Sequence, residues 1–151
     1  MVENNEYFVR RLEKSDRDAF CSILRQHRIF GTFYESFQEN NMGNRFDEIV
    51  WEQFKEALIF VVCSWKSKEV VGCFDIEGEH TSGTQITFKF EKDKITDANA
   101  VLLTRDMCNW IGREYNKKAL FAYVNSDFER RIFNNIGYEN IDEGVLVTLP
   151  L

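Results

Sequence analysis

Apolar and polar positions change period several times along this chain, and each change marks an element. Tyr7 to Leu12 (YFVRRL) reads as a short first strand. Ser15 stands three residues before Asp18, a variant of the capping box. Phe20, Ile23, Leu24 and His27 follow at helical spacing, which predicts an amphipathic helix over Ser15 to His27. Gly31 to Asp47 mixes aromatic residues with Asn and Gly and reads as a partly ordered loop. A second helix is predicted around Asp47 to Glu56, with Val50, Trp51 and Phe54 on one face.

Ala57 to Cys63 (ALIFVVC) is a continuous apolar run, the pattern of a strand covered on both faces. A polar turn at Lys66 to Lys68 joins it to Glu69 to Glu77, so the two predict a hairpin. After a turn over Gly78 to Gly83, Thr84 to Phe90 (TQITFKF) extends the pair to a meander. Asp97 is the expected cap of a helix running to about Tyr115, with Leu103, Met107, Trp110 and Ile111 as its apolar stripe. Ala119 to Val124 is an apolar strand, and Ser126 or Asp127 caps a helix that turns Phe128, Ile132, Phe133 and Ile136 inward. Gly137 stands where a left-handed C-terminal residue belongs, and Tyr138 to Leu149 supplies one or two closing strands. The order is β-α-α-β-β-β-α-β-α-β, a mixed α/β (α+β) domain over residues 1–151.

Composition narrows the function. At 151 residues, 44% hydrophobic and 29% charged, the chain has enough apolar surface for one core, which excludes intrinsic disorder. No apolar run reaches the ~18 residues of a membrane span, and MVENNEYFVRR has no signal-peptide pattern, so a cytoplasmic protein without a membrane partner is expected. A net charge of −6, with basic residues only in isolated pairs, argues against nucleic acid as a partner. Four cysteines without a CxxC read as reduced, buried thiols, and two histidines leave little material for a metal site or a hydrolase triad. Fourteen Phe on so small a domain are compatible with a homodimer.

The element order, together with Tyr123-Val124-Asn125-Ser126-Asp127-Phe128 and Ile132-Phe133-Asn134-Asn135-Ile136-Gly137-Tyr138, resembles the GNAT superfamily of acyl-CoA-dependent N-acetyltransferases. The Asn-helix segment ending in a Gly-aromatic pair is most similar to the branch that acetylates ribosomal-protein N-termini. The resemblance implies a GNAT-like mixed central sheet of six to seven strands flanked by about four helices. It also implies acetyl-CoA as co-substrate, with its pantetheine taken up between Thr84–Phe90 and Ala119–Val124. Its pyrophosphate would sit at the N-terminus of the Asp97 helix. On that footing Phe88, Lys94, Thr96, Ala98 and Asn125 are the expected cofactor-binding residues.

Two positions depart from the family pattern. The pyrophosphate loop, usually Q/R-x-x-G-x-G/A, is Asp93-Lys94-Ile95-Thr96-Asp97-Ala98 here, and only Ala98 fits. Phe133 occupies the place of a tyrosine that many members use to protonate the leaving thiolate. Acetylating an amine also needs a base for its ammonium proton, and Asp75 and Glu77, two residues apart on the meander, are the expected catalytic carboxylates. His80 in the following turn is another candidate base, and Cys63 or Cys73 an acyl-carrying nucleophile. Phe30, Phe33, Tyr34, Phe37 and Phe46, with Glu35, Glu39, Asp47 and Glu48, would shape an acceptor site for a small-molecule or peptide amine. Two readings stay open: an N-acetyltransferase acting by direct attack in a ternary complex, or a catalytically inactive binding or regulatory module on the same fold.

Overall fold

The computed structural model describes residues 2–26, 58–80, 83–91, 93–117, 119–123, 126–137, 139–142 and 146–150. The expected loop Gly31 to Asp47 and the expected helix Asp47 to Glu56 lie outside these residues. The described strands are β1 (Tyr7–Arg11), β2 (Leu58–Ser64), β3 (Val70–His80), β4 (Gly83–Phe90), β5 (Ala119–Tyr123), β6 (Glu139–Asp142) and β7 (Leu146–Pro150). The described α-helices are α1 (Arg17–Gln26), α2 (Asp97–Glu114) and α3 (Asp127–Ile136). Among the described residues, no helix is long and apolar enough to cross a membrane.

The strands form one sheet in the order β1-β2-β3-β4-β5-β7-β6. Pairing is antiparallel throughout except between β4 and β5, which run parallel. Register sorts the central strands into two faces, because opposed residues in an antiparallel pair share a side. Phe60, Phe74 and Phe88 stand opposite one another on β2, β3 and β4. They join Leu103, Met107 and Ile111 of α2 and Ile132 and Phe133 of α3 in the larger core. On the other face Ile59, Val61 and Cys73 pack with Phe20, Cys21 and Ile23 of α1. The run ALIFVVC is apolar without alternation because helices cover both sides of β2.

Several boundaries differ from the sequence expectation. A 3₁₀ turn over Lys14–Asp16 precedes α1, and its capping box pairs Glu13 with Asp16, not Ser15 with Asp18. Asp16 outcompetes because its carboxylate also takes both terminal nitrogens of Arg10, at 2.7 and 2.8 Å. Strand β3 runs on to His80, so the turn expected over Gly78 to Gly83 shrinks, and a bulge between Glu77 and Glu79 absorbs the irregularity. Gly137 has the expected positive φ of 94°, but its ψ of 137° is extended and not left-handed helical.

Candidate active-site cleft

Strands β4 and β5 pair only at Thr84↔Leu120 and Gln85↔Phe121. Beyond these positions β4 continues to Phe90 against β3 alone, and the described residues show no partner for it on the β5 side. A parallel pair that separates in this way leaves backbone amides and carbonyls along an open edge, where an extended amide chain can pair. α2 and α3 both begin at that opening. The result is a cleft of about 470 Å³.

The cleft has an apolar wall and a charged floor and mouth. Phe88 and Phe90 of β4, Ile95 of the β4–α2 loop and Phe128 of α3 supply the wall. Their rings interlock: Phe88 meets Phe133 edge-on at 5.4 Å, and Phe90 meets Phe128 edge-on at 6.3 Å. Lys89, between the two phenylalanines, belongs by register to the opposite face. The open edge of β4 lets its ammonium reach α3, where Nζ lies 2.5 Å from Oε1 of Glu129. Both residues line the cleft.

At the mouth stand Glu91, Asp93, Asp97 and Arg131. Arg131 donates through Nε to Asp97 at 3.0 Å, and its guanidinium lies 5.6 Å from the centre of the Phe128 ring. Asp93 holds a left-handed φ of 64°, a conformation that aspartate tolerates better than most residues. Thr96, not Asp97, caps α2, its Oγ1 accepting from the backbone N–H of Asn99 at 3.2 Å. A threonine hydroxyl reaches that amide from outside the helix, whereas Asp97 is already the first helical residue. The loop is tied to the start of the chain, since the Tyr7 hydroxyl donates to the Lys94 carbonyl at 3.1 Å and Asn99 donates to Glu6 at 2.7 Å. Burial, and then the charge of Glu6, raises the Tyr7 pKa.

Of the expected cofactor-binding residues, Phe88 lines the cleft. Lys94, Thr96 and Ala98 alternate with the lining residues Asp93, Ile95 and Asp97 along the loop and the start of α2. The Lys94 ammonium lies 3.3 Å from Glu91 and 3.7 Å from Glu69, and the hydrogen bond it donates to Glu91 is the main cause that raises its pKa. Asn125 and the side chains of Glu77 and His80 lie outside the described residues. Asp75 is half-buried and pairs across to Ile59 and Thr87, on the α1 face and not among the cleft-lining side chains. Cys63 and Cys73 do not fit an acyl-carrying role. All four cysteines are free and buried, and burial pushes the Cys73 thiol up to about 12. Burial likewise raises Cys63.

Lys89, Glu129 and Arg131 are cleft residues that the sequence reading missed. Lys89 keeps the apolar–polar alternation of TQITFKF but places a cation inside a strand flanked by others, and Glu129 lies one turn before Phe133 on the same helix face. Those two irregularities were the available signal.

No protein-family model matches the chain, and no curated protein matches it at a significant level. Solved structures do match. A ribosomal-protein-S5-alanine acetyltransferase from Vibrio fischeri superposes with a TM-score of 0.71 at 12% identity, over 99% of this chain and 95% of its own. A nucleotide-linked sugar GNAT in its apo form gives 0.69 at 13% identity, over 97% and 87% of the two chains. A spermidine N-acetyltransferase chimera from Vibrio cholerae and hSSAT gives a TM-score of 0.67 at 13% identity, over 95% and 96% of the two chains. With its strand order, its parting parallel pair and these superpositions, the chain has the GNAT acetyltransferase fold.

Proposed function

We propose that the protein is an N-acetyltransferase that moves an acetyl group from acetyl-CoA to a primary amine by direct attack in a ternary complex. The observation that supports this most is the separation of β4 from β5 after two register pairs, opening onto a cleft with an apolar wall. The open edge of β4 fits the amides of a pantetheine arm, and the phenyl wall fits its methylene and dimethyl groups. The acetylation partners named for the structural neighbours, a ribosomal-protein alanine and spermidine, are both amines. The amine nitrogen attacks the thioester carbonyl, the C–S bond breaks and CoA leaves as thiolate. The chain supplies mainly positioning and polar stabilisation of the developing charge. Asp75 and Glu77 remain the proposed acceptors of the amine's proton, acting directly or through water.

A second reading has its own support. Phe133 is 1% exposed and packed against Phe88, so no hydroxyl stands ready there for the leaving thiolate. Three carboxylates at the mouth would also disfavour a polyanion. The same fold would then serve as a binding module. Calorimetry with acetyl-CoA, followed by release of CoA thiol across a panel of amines, separates the two. Micromolar binding with amine-dependent thiol release supports the enzyme. Binding without turnover on any amine supports the module, and absence of binding at millimolar ligand rejects the acetyl-CoA reading.

A further inference from the structure

We propose that the cleft between β4, α2 and α3 receives an organic cation with an apolar body, its charge held at Asp93 and its body laid on the phenyl wall. The proposal rests on the second reading above, a binding module, and names the ligand class of that module.

The charges of the cleft decide which sign of ligand it accepts. Glu91, Asp93, Asp97 and Glu129 line it against Lys89 and Arg131. Both cations are already matched, Lys89 by Glu129 and Arg131 by Asp97. That leaves Glu91 and Asp93 in excess. Lys94, from outside the lining, meets Glu91 at 3.3 Å. Asp93 is exposed, and among the described residues no cation pairs with its carboxylate. A pyrophosphate would therefore meet net negative charge with both lining cations engaged, whereas an ammonium meets an unmatched carboxylate.

The walls point the same way. Phe88, Phe90, Ile95 and Phe128 give the cleft of about 470 Å³ an apolar side against which a small organic body can pack. At the mouth the chain already seats a cation of its own. The Arg131 guanidinium lies 5.6 Å from the centre of the Phe128 ring and 3.0 Å from Asp97. A ring face beside a carboxylate is also the surrounding that an alkylammonium selects. Lys89 and Glu129 neutralise each other at the floor, with side chains 3% and 7% exposed. The uncompensated charge thus lies at the mouth, where contact with water lowers the cost of bringing an ammonium in.

The test is calorimetric titration of the full chain with 2-phenylethyltrimethylammonium, neutral 2-phenylethanol, anionic 3-phenylpropionate and CoA. The quaternary nitrogen has no lone pair to attack a thioester, so its binding reports recognition and not an acceptor amine. The ammonium should bind about tenfold more tightly than the alcohol, and the propionate and CoA more weakly than the alcohol. Added salt should weaken the ammonium and leave the alcohol unchanged. Asp93→Asn keeps a side chain tolerant of the left-handed φ of 64°. It should weaken the ammonium about threefold and spare the alcohol. Asp106→Asn removes the same charge from a part of α2 beyond the cleft lining and should change neither. Far-UV CD and melting curves check that both variants are folded. Equal affinity for ammonium and alcohol would overturn the inference while the module reading stands. A folded Asp93→Asn protein that binds the ammonium as the parent does also overturns it. If CoA binds more tightly than the ammonium, the inference falls and the acetyl-CoA reading is upheld. If none of the four binds at millimolar concentration, the inference and the acetyl-CoA reading fall together.

Discussion

Lys89 of β4 and Glu129 of α3 form an ion pair across the opening where the sheet parts, with side chains only 3% and 7% exposed. It joins a strand to a helix at the place where no backbone ladder does so. Two charges buried in this way gain little net stability as a pair, but either one left alone is costly. Lys89→Met or Glu129→Gln should therefore destabilise the fold by about 3 kcal/mol or more, whereas Lys89→Met with Glu129→Leu should cost less than either single change. Urea unfolding of the three variants checks this. Additive losses in the double variant would mean that the residues act separately.

Gly72 of β3 stands opposite Phe90 of β4, next to Lys89. A Cβ there would lie 2.5 Å from Cδ1 of Phe90 and 2.8 Å from the Lys89 carbonyl oxygen. The first neighbour is a packed ring and the second is backbone, so neither yields without moving β4. Gly72→Ala should lower stability by about 1–3 kcal/mol, the usual range for overpacking. It should also shift cleft-wall resonances of Phe88 and Phe90 in aromatic NMR spectra. An unchanged spectrum with unchanged stability would refute the close approach.

Thr96 has a structural duty that can be separated from any ligand. Thr96→Ala removes the hydroxyl that accepts from Asn99 and should cost about 1 kcal/mol. Thr96→Gly should cost only a few tenths, because glycine is an acceptable N-cap. Thermal melts of both variants without ligand decide the matter, and equal losses would assign the residue a role other than capping.

The buried thiols set an alkaline limit. Burial pushes Cys73 and Cys108 from an ordinary value of 9.0 up to about 12 in the folded protein. A raised folded value means that the native state keeps its protons where the unfolded chain has lost them. The associated stability is complete below pH 9 and is lost progressively as pH rises toward 12. Denaturation midpoints measured between pH 8 and 11 should fall over that window. Thiol reagents at pH 8 should react slowly with the native protein and fully only after unfolding.

Gly137 tests a backbone requirement in isolation. Its φ of 94° lies in a region that side chains avoid, yet a Cβ there would meet nothing within 4 Å. Gly137→Ala should therefore cost about 1–3 kcal/mol through backbone strain alone. A neutral substitution would show that the segment relaxes to another conformation.

What the sequence determined by itself was local. Apolar runs and spacings located β2, β3, β4, α2, β5 and α3 to within a few residues, because periodicity and chain punctuation are carried by neighbours. The covered faces of β2 and the inward set on α3 were legible for the same reason. The capping pairs at Asp16 and Thr96 were not: Arg10 drew Asp16 into the box, and the Asn99 amide took the Thr96 hydroxyl while Asp97 entered the helix as its first residue. The place of the cleft, between β4 and β5 with Phe88 in its lining, followed from the family resemblance, but its charged lining belonged to tertiary structure. Lys89 is 40 positions from Glu129 and further still from Arg131, and only the parting of β4 from β5 brings them together. Such a site has no sequence period, because its spacing is measured through space across an open sheet edge and not along the chain.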